Sequence, residues 1–276
     1  MNDQKNVIVT GHFDNLRSAH IRFLQEAARL GSVHVLLMSD AAVEKSEGRK
    51  PKFPEAERRY LVEAIRYVDQ VTLCPSPFEK DALPSQLVIP PAIWVVDPAN
   101  HTVEKQAYCR AHRLGYHIVK SEDLVDFPDD SQHLLESQSS RRRVLVTGCF
   151  DWFHSGHVRF FEEVFQLGDL YVVVGHDANI QLLKGKGHPL FSDRERRYLV
   201  QSVRYVKQAL VSSGNGWLDA EPEIEHIKPH IYAVNEDGDH PEKRDYCESH
   251  GIEYRVLKRK PKEGLPRRQS TVLRGF

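Results

Sequence analysis

The segment VLVTGCFDWFHSGHVRF, residues 144–160, carries the features that decide the fold. Its first residues form a short β-branched and leucine run, which is typical of a buried strand. A loop bounded by Gly148 and Gly156 follows, and from Val158 the apolar residues return at helical spacing. The segment therefore predicts a strand, a glycine-containing turn and a helix that starts at the carboxyl end of the strand.

A second copy of this segment lies near the N-terminus. Three blocks align at offsets of 137, 138 and 138: VIVTGHFDNLRSAHIRF (7–23) with 144–160, ERRYLVEAIRYV (57–68) with ERRYLVQSVRYV (195–206), and EKQAYC (104–109) with EKRDYC (242–247). Three blocks in register over this length indicate two copies of one domain.

The repeat sets the domain organisation of the 276-residue chain, which is long enough for two average domains. The stretch 121–142 is acidic, then Ser/Gln-rich, then basic, and it shows no apolar period, which favours a linker. We predict a domain at 1–120, a linker at 121–142 and a second domain at 143–276. Because strands alternate with helices, each domain is predicted to be α/β, with a parallel sheet covered by helices on both faces.

Composition excludes several classes of protein. Lys and Arg number 38 against 39 Asp and Glu, whereas a general nucleic-acid binder or a polybasic membrane binder would be far more basic. The basic C-terminal stretch, 255–274, lacks interleaved stacking aromatics. No apolar run reaches the length of a membrane span, and no secretory signal is evident. The four cysteines form no CxxC pair, which favours a reducing compartment and argues against a thiolate metal site. We therefore expect a cytoplasmic protein that neither inserts into membranes nor binds nucleic acid.

The strongest chemical signal is GCFDWFHSGH, residues 148–157. His154 and His157 flank Gly156, which lets the backbone approach a ligand closely. The helix start offers free N–H groups and a positive dipole end, both of which suit phosphate. Imidazoles at this place can donate hydrogen bonds to phosphate oxygens as charge builds. A metal pair and a plain helix cap are the alternatives, although no third metal ligand is evident.

Three separated motifs carry a family resemblance. The HxGH motif, ERRYLVQSVRYV and the closing QSTVLR resemble the nucleotidyltransferase superfamily, in particular the cytidylyltransferases. The tandem arrangement is most similar to ethanolamine-phosphate cytidylyltransferases; glycerol-3-phosphate cytidylyltransferases and, around LKGKGHP, the adenylyltransferase domain that makes ADP-heptose are also similar. The resemblance implies two tandem Rossmann-like nucleotidyltransferase domains.

The resemblance also implies an activity. CMP would pass from CTP to a small phosphomonoester, phosphoethanolamine or glycerol 3-phosphate, with release of pyrophosphate, as in the synthesis of phospholipid precursors. Two alternatives stay open: an adenylyltransferase that uses ATP and makes an ADP-sugar type of product, and a nucleotide-binding module without turnover.

The resemblance further implies roles for individual residues. His154 and His157 would hold the triphosphate, and Lys184, on a loop, would contact phosphates of both reactants. The implied nucleotide-binding residues are Gly148, Cys149, Phe150, Asp151, Gly156, Arg196, Ser270 and Thr271. The implied substrate-binding residues are Lys186, Asp237, Asp239 and Arg268, with Arg267 an alternative to Arg268. Arg196 would contact phosphate or shape the nucleotide pocket, whereas Arg197 and Arg204 are expected on the surface. No protein metal site is implied; a Mg²⁺ ion would be held mainly by the nucleotide phosphates.

The first copy lacks most of these residues. It has Arg17 for His154, Ala19 for Gly156, Ser46 for Lys184 and Glu47 for Gly185, and it keeps His20 in place of His157. A carboxylate would then face the place where phosphate should lie. We predict a noncatalytic first domain that packs on the second as an internal pseudo-dimer partner, with homodimerisation left open.

Overall fold

In the computed structural model the chain forms two compact units, Met1–Asp126 and Phe127–Phe276. The described residues are 5–74, 79–88, 90–128 and 139–273. The division between the units lies inside the stretch predicted as a linker, of which residues 129–138 are outside the described residues.

The first unit alternates strands and helices. Its elements are β1 (Asn6–Gly11), α1 (Ser18–Ala28), β2 (Ser32–Met38), α2 (Asp40–Glu47), α3 (Glu55–Glu63), β3 (Gln70–Cys74), β4 (Ala92–Val96), α4 (Val103–Ala111) and β5 (Gly115–Ile118). The strands form one parallel sheet in the order β3-β2-β1-β4-β5.

The second unit repeats this plan. Its elements are β6 (Arg143–Gly148), α5 (Ser155–Phe165), β7 (Asp169–Val174), α6 (Asp177–Lys184), α7 (Asp193–Gln201), β8 (Val206–Val211), α8 (Glu221–Ile227), β9 (Ile231–Asn235), α9 (Pro241–Ser249), β10 (Glu253–Leu257) and α10 (Ser270–Leu273). The parallel sheet has the order β10-β9-β6-β7-β8, which is the first unit's order read from the other edge. The prediction of two tandem α/β domains with parallel sheets is confirmed.

Apolar burial explains why the strands lie at the centre of each unit. Every residue of β7, DLYVVV, is buried, as expected for a strand covered on both faces. Each fully buried Val, Leu or Ile contributes about 1.5–3 kcal/mol of transfer free energy, so this strand anchors the second unit. In both sheets the chain order reverses beside the first strand of the unit, and such a reversal opens a ligand crevice at the carboxyl ends of the strands.

Two helices of the second unit were not predicted from the sequence. Helix α8 was missed, and α6 occupies the stretch that was read as a loop. His176 caps α6, its side chain accepting a hydrogen bond from the Asn179 N–H at 3.3 Å, and the helix ends at Gly185, whose φ is +85°. Lys184 therefore lies in the last turn of a helix, which corrects its placement on a loop.

Two other expectations concern thiols and membranes. Cys74, Cys109, Cys149 and Cys247 are all free thiols. Along the described ranges, none of the helices combines the length and the apolar character that crossing a bilayer requires.

Candidate active site

In the turn after β6, the aromatic ring of Phe150 packs against Gly148. Phe150 adopts a φ of +54°, and a Cβ added to Gly148 would lie 2.8 Å from the Phe150 ring, so a larger residue would collide with it. The first unit repeats this turn, with Phe13 at a φ of +48° and a gap of 3.0 Å above Gly11. The turn belongs to the fold shared by both units, and in the second unit it delivers the histidines.

His154 and His157 lie in the first turn of α5, with their rings stacked. The ring centroids are 3.9 Å apart and the planes are inclined by 19°. His154 Nδ1 accepts a hydrogen bond from the Gly156 N–H at 3.0 Å, and His157 Nδ1 accepts one from the His154 N–H at 3.4 Å. A nitrogen that accepts carries no proton, so in a neutral ring the proton is on Nε2. His154 Nε2 is buried and has no hydrogen-bond partner among the described residues.

Burial keeps both imidazoles neutral. Desolvation, together with the positive charges of Arg259 and Arg268, lowers the pKa of His154 to about 3. Desolvation also lowers the pKa of His157 well below its usual value, and the neighbouring His154, Arg259 and Lys184 act in the same direction. At neutral pH the pair therefore offers two N–H donors and no positive charge of its own.

The two histidines line a cleft of about 730 Å³ at the carboxyl ends of β6 and β9. Glycine, aromatic and polar residues of the turn form its floor, among them Gly148, Cys149, Phe150, Asp151, Trp152 and Gly156. Four cationic side chains line the cleft against two carboxylates: Lys184, Lys243, Arg259 and Arg267 against Asp151 and Asp237. This positive balance suits a polyanionic ligand such as a triphosphate.

Asp151 links the histidine turn to the segment before α7. Its Oδ1 accepts hydrogen bonds from the N–H groups of Leu190 (2.8 Å) and Phe191 (3.0 Å). The residue is 7% exposed, and its buried Oδ2 has no hydrogen-bond partner within the described ranges. His188 Nδ1 lies 3.9 Å from this oxygen, beyond hydrogen-bond distance. A carboxylate oxygen that accepts no hydrogen bond suits Mg²⁺, which favours one or two carboxylates plus phosphate oxygens. The residues present thus fit a magnesium ion held mainly by nucleotide phosphates.

Arg196 is 2% exposed, and its guanidinium is used inside the fold. It donates to the carbonyls of Phe191 (2.9 Å), Cys149 (2.6 Å) and Gly175 (2.8 Å), and to Asp177 Oδ1 (2.7 Å). The arginine therefore ties the histidine turn to the end of β7 and to the start of α7.

The first unit shows the same arrangement around Arg58. Its guanidinium donates to the carbonyls of Phe53, His12 and Met38 and to Asp40 Oδ1, at 2.6–2.9 Å. The first unit lacks most of the residues predicted to bind phosphate and still keeps this contact set, so these contacts serve the fold common to both units. Of the two roles implied for Arg196, the geometry supports shaping the pocket and not phosphate contact.

Arg197 was expected on the surface, and this expectation is wrong. The residue is 2% exposed, because it lies in the buried stretch of α7, residues 196–200, where every side of the helix is covered. Arg204 is exposed, as expected.

The basic stretch supplies the cleft with Arg267, the alternative to Arg268, and with Arg259, which was not predicted. Arg259 and Arg267 line the cleft; Arg268 does not, although its charge reaches His154. Arg259 forms an ion pair with Asp237 and donates to the Arg268 carbonyl at 3.1 Å. The structure therefore replaces Arg268 with Arg259 and Arg267 in the phosphate-facing set. The basic run is the sequence signal for Arg259, but sequence position alone does not show which cation of that run reaches the cleft.

The predicted substrate carboxylates separate. Asp237 lines the cleft, whereas Asp239 lies outside the lining. Asp239 pairs with Arg244 and accepts a hydrogen bond from the Tyr254 O–H at 3.1 Å. These contacts lower the pKa of Asp239 and hold its carboxylate at the surface near β10, so its predicted role in substrate binding is not supported.

Of the remaining predicted residues, some line the cleft and others do not. Lys184 lines it, while the exposed Lys186 does not. Ser270 also lines it and donates to the Trp152 carbonyl at 3.3 Å. The Thr271 side chain lies outside the described part of the chain. Burial raises the pKa of the Cys149 thiol, against the opposing charges of Lys184 and Arg196.

Lys243 is a cleft residue that the sequence reasoning missed. Its Nζ donates to the Gly238 carbonyl at 3.3 Å and lies 5.8 Å from the centroid of the Tyr232 ring. Burial lowers the pKa of this lysine, opposed first by Asp219. The signal was available, because the repeated block EKRDYC aligns Lys243 with Lys105 of the first copy.

A parallel α/β sheet whose first strand delivers neutral imidazoles and a helix start to a cationic cleft defines a nucleotide-binding α/β protein. The cytidylyltransferase-like family matches residues 8–140 and 145–256, and the chain belongs to this family, within the nucleotidyltransferase superfamily. The two matched segments cover most of both units.

Two similar proteins, an FAD synthase and a bifunctional protein HldE, are of the same superfamily. The chain is 35% identical over 121 residues to an FAD synthase of Aciduliprofundum boonei, covering 43% of this chain and 78% of that protein. It is 34% identical over 134 residues to a bifunctional protein HldE of Pelobacter propionicus, covering 48% of this chain and 26% of that one. A solved lipopolysaccharide core biosynthesis protein of Thermoplasma volcanium aligns over its full length with 45% of this chain, at 24% identity and a TM-score of 0.38.

Proposed function

We propose that the second unit transfers a nucleoside monophosphate from a nucleoside triphosphate to a small phosphomonoester and releases pyrophosphate. The observation that carries this proposal is the pair of neutral imidazoles, His154 and His157. They lie at a helix start, line a cleft with a net positive charge and carry their protons on Nε2. Such a site binds phosphates and donates to the oxygens that gain charge in the transition state.

The protonation states fit this reaction. An oxygen of the acceptor phosphate attacks the α-phosphorus, and the bond from that phosphorus to the oxygen leading to the β-phosphate breaks, its electron pair leaving with pyrophosphate. The acceptor oxygen is already anionic at neutral pH, so no general base is required. The depressed pKa values of both histidines suit donors that never take up a proton during the reaction.

The surrounding charges hold the two reactants in line. Lys184, at the end of α6, lies where the acceptor phosphate would approach, and Arg259 and Arg267 face the triphosphate from the C-terminal stretch. A bound Mg²⁺ ion would neutralise charge on the phosphates, and Asp151 Oδ2 is the protein atom that would help to hold it. Asp237, freed from Arg259, would be available to a cationic group of the acceptor.

For the donor we propose ATP. The relatives named FAD synthase support this choice, since FAD carries an adenylyl group and its formation joins that group to a flavin phosphate. CTP with a phosphoalcohol acceptor is the second candidate, favoured by the family description and by the motif ERRYLVQSVRYV. The cleft lining itself is compatible with either base.

A donor–acceptor panel on the full chain tests the proposal. Pyrophosphate release is measured with ATP and with CTP, each combined with FMN, sugar 1-phosphates, glycerol 3-phosphate and phosphoethanolamine. We expect release with ATP and at least one acceptor, and its loss in His154→Ala. Release with CTP and a phosphoalcohol alone would select the second candidate. Tight triphosphate binding without release for any acceptor would contradict both and indicate a module without turnover.

A further inference from the structure

The first unit has a cleft of its own at the place that corresponds to the active-site cleft. It measures about 410 Å³ and lies at the carboxyl ends of β1 and β4, where the strand order of that sheet reverses. The residues that line it are Thr10, Gly11, His12, Phe13, His20, Phe23, Met38, Ser46, Glu47, Lys80, Val95, Val96, Asp97, Asn100 and Lys105. A cleft of this size takes a small organic molecule.

The phosphate end of this cleft is closed by a carboxylate. Glu47 stands where the second unit has Gly185, and it is held by His12 Nε2 at 3.0 Å and by Arg49 at 2.5 Å. His12 Nδ1 accepts from the Asp14 N–H at 3.0 Å, so Nε2 carries the ring proton and donates it to Glu47. A triphosphate placed at this end would meet a carboxylate held in place by His12 and Arg49, where the second unit has a glycine.

The imidazole pair cannot be rebuilt in the first unit. A Cβ at Gly156 would lie 2.8 Å from the His154 ring, and the first unit has Ala19 with Arg17 at these two positions. One donor survives: His20 Nδ1 accepts from the Arg17 N–H at 3.0 Å, so its Nε2 carries the proton. Two of the three phosphate-binding features, the second imidazole and the lysine at the end of α6, are therefore gone.

The opposite end of the cleft is retained. Trp94 Nε1 donates to Thr10 Oγ1 at 3.3 Å, as the hydroxyl of Tyr232 pairs with Thr147 at 2.7 Å in the second unit. Lys105 lies over the Trp94 ring with its Nζ 5.8 Å from the centroid, and donates to the Asn100 carbonyl at 2.7 Å. Lys243 and Tyr232 show the same separation of 5.8 Å.

The retained end corresponds to the nucleoside half of the active site. In the second unit the imidazoles lie in the middle of the cleft, and Lys184 lies at the end after β7. If the triphosphate of the nucleotide binds at the imidazoles, its nucleoside lies at the other end, after β9. This assignment rests on the proposed function. Its counterpart in the first unit is the end after β4, with Val95, Asn100 and Lys105.

Charge balance separates the two clefts as well. The first unit's cleft is lined by two lysines and two carboxylates, Lys80 and Lys105 against Glu47 and Asp97, whereas the active-site cleft has two more cations than carboxylates. A balanced cleft favours a ligand without net charge. We propose that the cleft of the first unit binds a nucleoside that carries no phosphate, with its base at the end formed by β4, Asn100 and Lys105.

Hydrogen–deuterium exchange on the full chain tests this proposal, because its peptides report each unit separately. Adenosine and cytidine, at millimolar concentration, are compared with ATP and CTP. We expect at least one of the nucleosides to slow exchange in peptides that cover β4 and α4, and the triphosphates to protect the turn after β6 without protecting the first unit. No protection of the first unit by either nucleoside would overturn the proposal, as would equal protection by the triphosphates.

Lys105→Met supplies the residue-level test. We expect the nucleoside concentration needed for half protection of the first unit to rise by about tenfold or more, while Lys120→Met, at an exposed lysine of the same unit, leaves it unchanged. Exchange of β1 and β2 without ligand shows whether the variant is folded. Unchanged protection in a folded Lys105→Met chain would contradict the assignment of the base end.

A second variant addresses the phosphate end and does not disturb the core. Ser46→Lys with Glu47→Gly, both at the exposed end of α2, recreates the Lys184–Gly185 pair. We expect triphosphates to protect the first unit of this variant; a variant that gained no such protection would contradict the proposal that this end excludes phosphates. None of these outcomes depends on pyrophosphate release, so the nucleoside site and the transferase activity can fail independently.

Discussion

At the residue scale, His154 carries an energetic cost before any ligand binds. Its Nε2–H is buried without a partner among the described residues, and an unsatisfied buried donor costs about 1–3 kcal/mol. A phosphate oxygen would satisfy this donor, so part of the binding free energy of the nucleotide is the relief of that cost. The geometry is prepared by two backbone N–H groups that fix which ring nitrogen carries the proton.

His154→Ala removes one of the two donors. We expect the rate of pyrophosphate release to fall by about 10²–10³-fold, the typical loss for a donor to a developing oxyanion. The control variant in the first unit, His20→Ala at the counterpart of His157, is expected to leave that rate nearly unchanged. Steady-state rates with saturating donor and acceptor provide the measurement. Equal losses in the two variants would sink the assignment of catalysis to the second unit.

Gly156→Ala tests the packing of the His154 ring. The new Cβ would lie 2.8 Å from His154 Cε1, so the ring must shift and its hydrogen bond to the Gly156 N–H is strained. We expect a slower transfer rate and a weaker response to triphosphate, without a matching fall in the melting temperature, because alanine is favoured over glycine in a helix by about 1 kcal/mol. Ala19→Gly in the first unit is the control. A variant with full activity would show that the ring position is unimportant.

At the element scale, one buried arginine joins a turn, a strand end and a helix start in each unit. Arg196 and Arg58 sit at corresponding places of α7 and α3 and make corresponding contacts. The planar guanidinium reaches several carbonyls in fixed directions, which a lysine ammonium cannot do. The histidine turn of the second unit is therefore held by the same kind of contacts as the turn of the first.

Arg196→Met should destabilise the second unit. Removing the guanidinium leaves the carbonyls of Phe191, Cys149 and Gly175 without this donor, at a cost of about 1–3 kcal/mol for each acceptor that stays buried and unsatisfied. The Asp177 side chain is 44% exposed, so water can replace the arginine there. Urea unfolding followed by tryptophan fluorescence measures the loss; Arg58→Met should cause a similar loss in the first unit, and Arg204→Met, at an exposed position, very little. If the variant kept its stability and lost only affinity for the nucleoside triphosphate, the result would support phosphate contact by Arg196.

At the scale of the whole molecule, buried neutral histidines couple the stability of both units to pH. The pKa of His154 is lowered to about 3 and that of His20 to about 4, while an unfolded histidine titrates near 6.5. As pH falls below that value, the unfolded chain takes up protons that the folded chain does not. Stability is therefore present above about pH 6.5 and declines as pH falls toward the folded pKa values.

The pH prediction can be measured by urea unfolding between pH 7 and pH 5. Each such histidine contributes a slope of up to about 1.4 kcal/mol per pH unit in this window. His154→Gln should flatten the dependence of the second unit, and His250→Gln, at an exposed position just after α9, should not. Stability that stays constant from pH 7 to pH 5 in the unmodified chain would contradict the neutral, buried state of these rings.

The sequence by itself determined the two copies, their parallel α/β fold and the histidine turn. These features are local patterns: a β-branched run, glycines at a turn, helical spacing and a repeat in register, none of which needs knowledge of distant contacts. The sequence does not reveal α6, because this eight-residue helix begins at a histidine cap, which is an uncommon start signal. Lys184 is for that reason predicted on a loop.

Only the tertiary structure decided which charged side chains belong to the site. Arg259 and Lys243 reach the cleft, Asp239 and Arg268 do not, and Arg197 is buried in the fold. Each outcome depends on how separate helices and strands pack, because packing sets the distances between their side chains and sequence spacing does not. The neutral state of His154 is likewise decided by the tertiary structure, since burial in the folded unit lowers the pKa of its imidazole.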